Sequence, residues 1–177
     1  MPKRTRKAAI RATVRVATRA DRSPTVVRKA GPYADPTLCV GCGAVYTKKT
    51  WRRGRADASR LAHAAPALCP ACRQLETKLA LGRVVLRGPL PPGNELEILR
   101  RIANVASRAA FTQPEHRIVE VRRDEGGVEV ATTSQKLAHR IARELEKAFA
   151  GRATYSWSDS DGGLVATWER EGPALRR

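Results

Sequence analysis

Cys39-Val-Gly-Cys42 and Cys69-Pro-Ala-Cys72 carry all four cysteines of this chain. Two Cys-x-x-Cys knuckles, each bending one backbone turn around a metal, complete a tetrahedron of thiolates. Gly41 and Gly43 let the first turn curl so that amides point at the sulfurs, and Pro70 stiffens the second. With Cys39, Cys42, Cys69 and Cys72 supplying every ligand, a single zinc ion keeps no position for water or substrate, so its expected role is structural. The 26 residues between the pairs (43–68) exceed the common zinc-ribbon spacing, which points to an inserted loop between the knuckles.

Three other uses of paired cysteines compete with this one. A thioredoxin-like redox motif needs one Cys-x-x-Cys beside a βαβ pattern, and neither pair has such surroundings. Two disulfides suit an exported protein, whereas the N-terminal residues lack the apolar run of a signal peptide. An iron–sulfur cluster takes the same four thiolates, and the spacing leaves it open.

Working outward, charge is distributed unevenly. The chain carries +17, of which residues 1–90 supply +16 (20 Lys/Arg against four acids) and residues 91–177 only +1 (14 against 13). A bias toward Arg in composition would raise it throughout and would not strip acids from one half. A basic half joined to a balanced half implies a polyanionic partner, with RNA or DNA the default.

At 177 residues there is room for one domain of about 80 residues, a small metal-stapled module and a tail. No stretch of about 20 apolar residues is present, so no membrane span is expected. Clustered free thiols suit a reducing compartment, and a cytoplasmic location follows as the expectation.

Residues 1–32 form a basic arm. Lys3, Arg4, Arg6, Lys7, Arg11, Arg15, Arg19, Arg22, Arg28 and Lys29 face a single acid, Asp21. Such a segment repels itself and buries little apolar surface, so it should be disordered alone and order on a phosphate backbone. Arg at 4, 11, 15, 19 and 22 would share one face of a transient helix. An acid-poor, Arg-rich start also fits an organellar transit peptide. Attachment to an anionic membrane surface is a weaker reading, because bulky aromatic anchors are lacking.

The zinc module is expected over residues 33–81. Its insertion reads Thr47-Lys-Lys-Thr-Trp-Arg-Arg-Gly-Arg55, placing Lys48, Lys49, Arg52, Arg53 and Arg55 around Trp51. Cations on phosphates and an indole stacked on a base make this a candidate RNA surface. Equally, Trp51 could pack on the metal site as part of a tiny core. His63 falls in the same insertion and, with four cysteines available, reads as a surface residue.

Residues 82–93 read as a connector in which Val84-Val85-Leu86 can form a strand before a Gly/Pro cluster. Residues 94–170 then show regular punctuation. Asn94, Glu95 and Glu97 open a helix whose apolar positions Leu96, Leu99, Ile102, Ala103, Ala106 and Ala110 repeat at helical spacing until Pro114. Residues 118–123 and 128–132 flank Asp124-Glu-Gly-Gly127 as a hairpin. Thr133 or Ser134 caps a second helix, stopped by Gly151, and residues 153–158 and 164–168 form a second hairpin. The order α-β-β-α-β-β implies an α+β domain with a four-stranded antiparallel sheet and two helices on one face, followed by a tail at 171–177. Tyr155, Trp157 and Trp168 are candidates for stacking on bases from an exposed sheet face, or for the core; Tyr155 and Trp157 share strand parity and hence one face.

No catalytic constellation is apparent. His63, His116 and His139 are scattered, and neither Gly-x-Ser-x-Gly nor a phosphate-cradling glycine loop occurs, so no small-molecule substrate is expected.

The runs His116-Arg-Ile-Val-Glu-Val-Arg122, Asp124-Glu-Gly-Gly-Val-Glu-Val-Ala-Thr-Thr133 and Leu137-Ala-His-Arg-Ile141, with the ending Trp168-Glu-Arg170, resemble an uncharacterised bacterial zinc-ribbon family. More distantly they are similar to the archaeal and eukaryotic nonsense-mediated-decay-three proteins, export adaptors of the large ribosomal subunit. Those also place cysteine knuckles ahead of an acidic Gly-Gly hairpin and a helix. This chain shows fewer knuckles and lacks their later domains and export signals, so an export role does not carry over. What the resemblance implies is affinity for the large subunit near its subunit-facing tRNA sites. The combined expectation is a non-enzymatic, zinc-containing RNA-binding protein of the ribosome, an assembly or hibernation factor. The alternatives are a DNA-binding zinc-ribbon regulator and a protein-interaction adaptor.

Overall fold

The computed structural model describes residues 33–53, 58–88, 94–124, 126–158 and 162–170. The basic arm, Arg55 and the tail at 171–177 lie outside these residues. Two sheets organise the chain, one around the cysteines and one in the α+β region.

Short strands build the first. Strands β1 (Thr37–Cys39), β2 (Val45–Thr47), β3 (Thr50–Arg52) and β4 (Ala65–Ala67) pair in the order β3-β2-β1-β4, with β1 and β4 parallel. Helix α1 (Ala58–Leu61) leads into β4, and α2 (Pro70–Glu76) follows it. The insertion between the knuckles is thus largely regular: β2 and β3 make a hairpin and β4 returns to pair beside β1.

In the second sheet the expected helices and hairpins form: α3 (Asn94–Thr112), β6 (Ile118–Asp124), β7 (Gly127–Thr132), α4 (Gln135–Ala148), β8 (Arg152–Trp157) and β9 (Leu164–Glu169). Ser134 caps α4 through its hydroxyl, which accepts from the Leu137 amide at 3.2 Å. The sheet itself corrects the four-stranded antiparallel expectation. It has five strands in the order β6-β7-β5-β9-β8, and its centre is β5 (Gly82–Arg87), from the segment expected to be a connector. Strand β5 runs antiparallel to β7 and parallel to β9, so each α-β-β unit lays its second strand along one side of β5.

Period-two alternation assigns the faces. Val84, Leu86, Val128, Val130, Leu164 and Trp168 turn inward and join Ile98, Ile102, Val105, Leu137, Ile141 and Leu145 of the two helices in one core. Trp168 is fully buried there, which removes it from the candidates for base stacking. Tyr155 packs against the same core and against His139, with ring centroids 4.9 Å apart. Trp157 shares that parity but emerges at the strand end, 58% exposed.

The opposite, open face carries no aromatic residue among the described residues. Its cross-strand rows run Glu120–Ala131–Arg83–Val165–Ser156 and Arg122–Glu129–Val85–Thr167–Thr154. Arg83 bonds Glu129 at 2.6 Å and Arg122 bonds Glu120 at 2.7 Å, so these two cations are matched within the sheet. Among the described residues this face offers no aromatic stacking platform. The expectation of aromatic base-stacking from the open face is therefore not met.

If β5 is the central strand, Leu86→Ala opens a cavity beneath both helices. Urea unfolding of the metal-loaded protein should show a loss of about 2–5 kcal/mol; a residue in a linker would cost under about 0.5 kcal/mol.

Candidate metal centre

Each knuckle is positioned by the element beside it. Cys39 ends β1, and the chain turns back at once: the Gly43 amide donates to the Cys39 carbonyl at 2.8 Å and the Cys39 amide to the Ala44 carbonyl at 2.7 Å. Gly43 has φ +70°, the left-handed region open to glycine at little cost. Gly41 serves differently, because a Cβ there would lie 3.1 Å from both Cys72 Sγ and a Leu68 methyl. Its missing side chain lets the two knuckles close on each other. Cys69 is the N-cap residue of α2 with Pro70 in the first turn, and Cys72 follows in that turn.

The four sulfurs lie within 4.8 Å of one another. Cys39 Sγ and Cys72 Sγ are 3.7 Å apart and Cys42 Sγ and Cys69 Sγ 3.8 Å. Zn–S bonds of about 2.3 Å in a tetrahedron require sulfur–sulfur separations near 3.8 Å, whereas a disulfide needs about 2.05 Å. The donor set and its dimensions fit a metal bound by four thiolates. Iron–sulfur chemistry asks for the same ligands, so the geometry supports a tetrathiolate metal and zinc is its simplest occupant. His63, expected at the surface, is exposed and outside the cluster.

Protonation explains why this cluster calls for a cation. Burial opposes the Cys39 thiolate, but the amides of Cys69, Gly41 and Cys42 and the Cys42 side chain outweigh it and bring the pKa to about 7. The Cys69 amide is 3.2 Å from Cys39 Sγ. Burial pushes Cys69 up to about 11, although hydrogen bonds from Cys72 work the other way, and it raises Cys72 further, aided by Cys69. Four neighbouring thiols resist common ionisation until a dication compensates them.

A second cation faces the cluster from the other sheet. Arg117 Nη1 is 3.8 Å from Cys72 Sγ, and its Nε donates to the Pro114 carbonyl at 2.9 Å. Burial works against its charge, and the thiolates of Cys42, Cys72 and Cys69 outweigh that penalty. Its Nη2 is buried without a hydrogen-bond acceptor. The guanidinium is thus held where the cluster's negative charge is the available compensation. Beside it the Arg117 amide donates to Thr133 Oγ1 at 2.9 Å, and the side chain of Gln74 in α2 reaches across to donate to the Thr133 carbonyl at 3.0 Å. His116, next in sequence, is buried and bonded through Nδ1 to the Ser134 hydroxyl at 2.8 Å; burial lowers its pKa, in keeping with a neutral ring inside the capping network.

The basic residues expected in the insertion occupy the β2–β3 hairpin. Lys48 and Lys49 form its tip and Arg52 and Arg53 follow, all four exposed. Trp51 is half-buried, against the cysteine cluster and edge-on to Tyr33 at 4.9 Å, so packing is the role its position displays. Lys3, Arg4, Arg6, Lys7, Arg11, Arg15, Arg19 and Arg55 lie outside the described residues. Sequence reasoning missed Arg117, whose link to Cys72 spans 45 positions. It also missed a stripe of exposed cations on α4, Lys136, Arg140, Arg143 and Lys147, whose steps of four, three and four were readable as one helix face.

No protein-family model matches the chain, and no curated protein is significantly similar to it.

Zinc titration of metal-free protein at pH 7 should release a proton from each of Cys69 and Cys72, measured by calorimetry in buffers of different ionisation enthalpy, and affinity should fall as the pH is lowered. Arg117→Leu should weaken the same binding about tenfold; uptake without proton release would contradict a tetrathiolate site.

Proposed function

We propose that this chain is a non-enzymatic, zinc-stapled RNA-binding protein of the cytoplasm. Its target in this reading is the ribosome, at the large subunit or the intersubunit rRNA, where it acts as an assembly or hibernation factor. The observation that carries the RNA reading is the tip of the β2–β3 hairpin. Lys48 and Lys49 are the two central residues of its two-residue turn and both have positive φ, 49° and 61°. Hairpin turns of this form favour Asn-Gly, and each L-residue with a Cβ held there costs roughly 1–2 kcal/mol. A strained turn made of two exposed lysines is poor chemistry for stability alone. It suits a projecting phosphate-binding tip.

Asp35 strengthens this view, since its carboxylate accepts from the Lys48 amide at 2.8 Å and so holds the turn. Arg52 and Arg53 extend the cationic edge along β3. The basic arm would follow phosphates further, in line with the charge asymmetry of the chain. The α4 stripe supplies a second cationic face on the α+β region. The ribosome as target rests on the resemblance carried by residues 116–141 and 168–170. No helix among the described residues is long and apolar enough to cross a membrane.

Charge reversal at Lys48, Lys49, Arg52 and Arg53 tests this reading against rRNA fragments and short duplex DNA. The dependence of log affinity for RNA on log salt should become shallower by about three, with the fold and metal content retained. Unchanged RNA affinity would remove the hairpin from the mechanism, and tighter binding to duplex DNA than to RNA would contradict the RNA assignment.

A further inference from the structure

Between the β2–β3 hairpin and the C-terminal end of α3 lies a groove of about 560 Å³. Its two walls differ in chemistry. Thr50, the half-buried Trp51, Arg52 and Arg53 contribute the hairpin wall; Phe111, Thr112, Gln113 and Glu115 contribute the other. Phe111, in the last turn of α3, is 75% exposed, the most exposed large apolar residue among the described residues, whereas Ile98, Ile102, Val105, Ala106 and Ala109 of the same helix are buried. It lies off that stripe, so the core gains nothing from it, and it leaves a phenyl ring facing water in the same groove as Arg52 and Arg53.

We propose that this groove is a binding site for an unpaired nucleotide of RNA. The cationic wall takes the phosphate, Phe111 stacks on the base, and Glu115 with Gln113 accepts hydrogen bonds from its amino edge. The match is one of polarity. A nucleotide is anionic at one end and an aromatic ring bearing N–H donors at the other, and the groove presents cations at one wall and an aromatic with acceptors at the other. Fully base-paired RNA keeps its base faces stacked and its amino groups paired, so it cannot use the Phe111 wall. Glu115 adds a preference: adenine, cytosine and guanine carry amino groups for a carboxylate, whereas uracil presents two carbonyls and a single N–H.

This site rests on the RNA-binding reading and goes beyond it, and the following experiment separates their failures. Fluorescence anisotropy on the full zinc-loaded chain compares a short unpaired RNA of adenine and cytosine, a uridine-only RNA of equal length and a perfectly paired RNA hairpin. The proteins are wild type, Phe111→Ala, Phe111→Tyr and Lys48→Glu/Lys49→Glu. Removing the ring should weaken binding to the adenine–cytosine RNA about tenfold, with the salt dependence and the hairpin affinity unchanged, and Phe111→Tyr should restore it. The uridine-only RNA should bind less well to wild type. Phe111→Ala that retains full affinity for unpaired RNA, or that weakens paired RNA equally, overturns the nucleotide site; if the lysine variant still loses affinity, the RNA-binding reading survives that result. If instead the lysine variant and Phe111→Ala both bind like wild type, both readings fall together. Because Phe111 is exposed, circular dichroism of each variant should match wild type.

Discussion

The cysteine module of this protein depends on four sulfurs that cannot all be ionised without a cation. The module around them has a core of a few small residues, Ala44 and Ala71 with the cysteines themselves, edged by Trp51 and Leu68. That is too little apolar surface to hold three-residue strands together unaided. A metal bound by the four thiolates would fix β1, the hairpin that follows it and the start of α2 in one stroke. Arg117 then extends the constraint across the seam. Its guanidinium, partly buried with Nη2 unsatisfied, is costly alone, so it pairs the α+β region electrostatically with the cluster.

Orientation matters because the proposed RNA surfaces lie on both sides of that seam. The hairpin presents Lys48, Lys49, Arg52 and Arg53, while Phe111 and Glu115 come from the end of α3 and the turn after it. The metal, in this account, is two steps away from the ligand: it holds the hairpin, and the hairpin meets α3 to form the groove. The open face of the five-stranded sheet is assigned no contact in this reading, since Arg83 and Arg122 there are matched by Glu129 and Glu120.

Much of this was legible locally. The cysteine spacing announced a tetrathiolate site because ligand geometry is set within each four-residue turn. Helices α3 and α4 followed from apolar periodicity, the Ser134 cap from its residue type, and both hairpins from glycines between alternating runs. What escaped was non-local. Strand β5 begins at Gly82 and runs into the Gly/Pro cluster beginning at Gly88, which reads as a boundary, and nothing local reveals that its partners are β7 and β9, at least 40 and 82 positions away. Placing β5 at the centre turned an antiparallel expectation into a mixed sheet. For Trp168, open by residue type to stacking or to the core, the parity it shares with Leu164 and Ala166 on the helix-facing side decides for the core. Phe111 carried a usable signal, falling off the stripe of Ile98, Ile102, Val105 and Ala109. Arg117 carried none, as its role exists only once Cys72 is beside it.

The proposed association with the ribosome is tested most directly by sedimenting cell lysate through sucrose gradients at low and moderately high salt while tracking this protein. The account predicts co-migration with the large subunit or with whole ribosomes that survives the higher salt, because a specific site resists the steep weakening of purely phosphate-driven binding. Protein that stays at the top of the gradient even at low salt would contradict it.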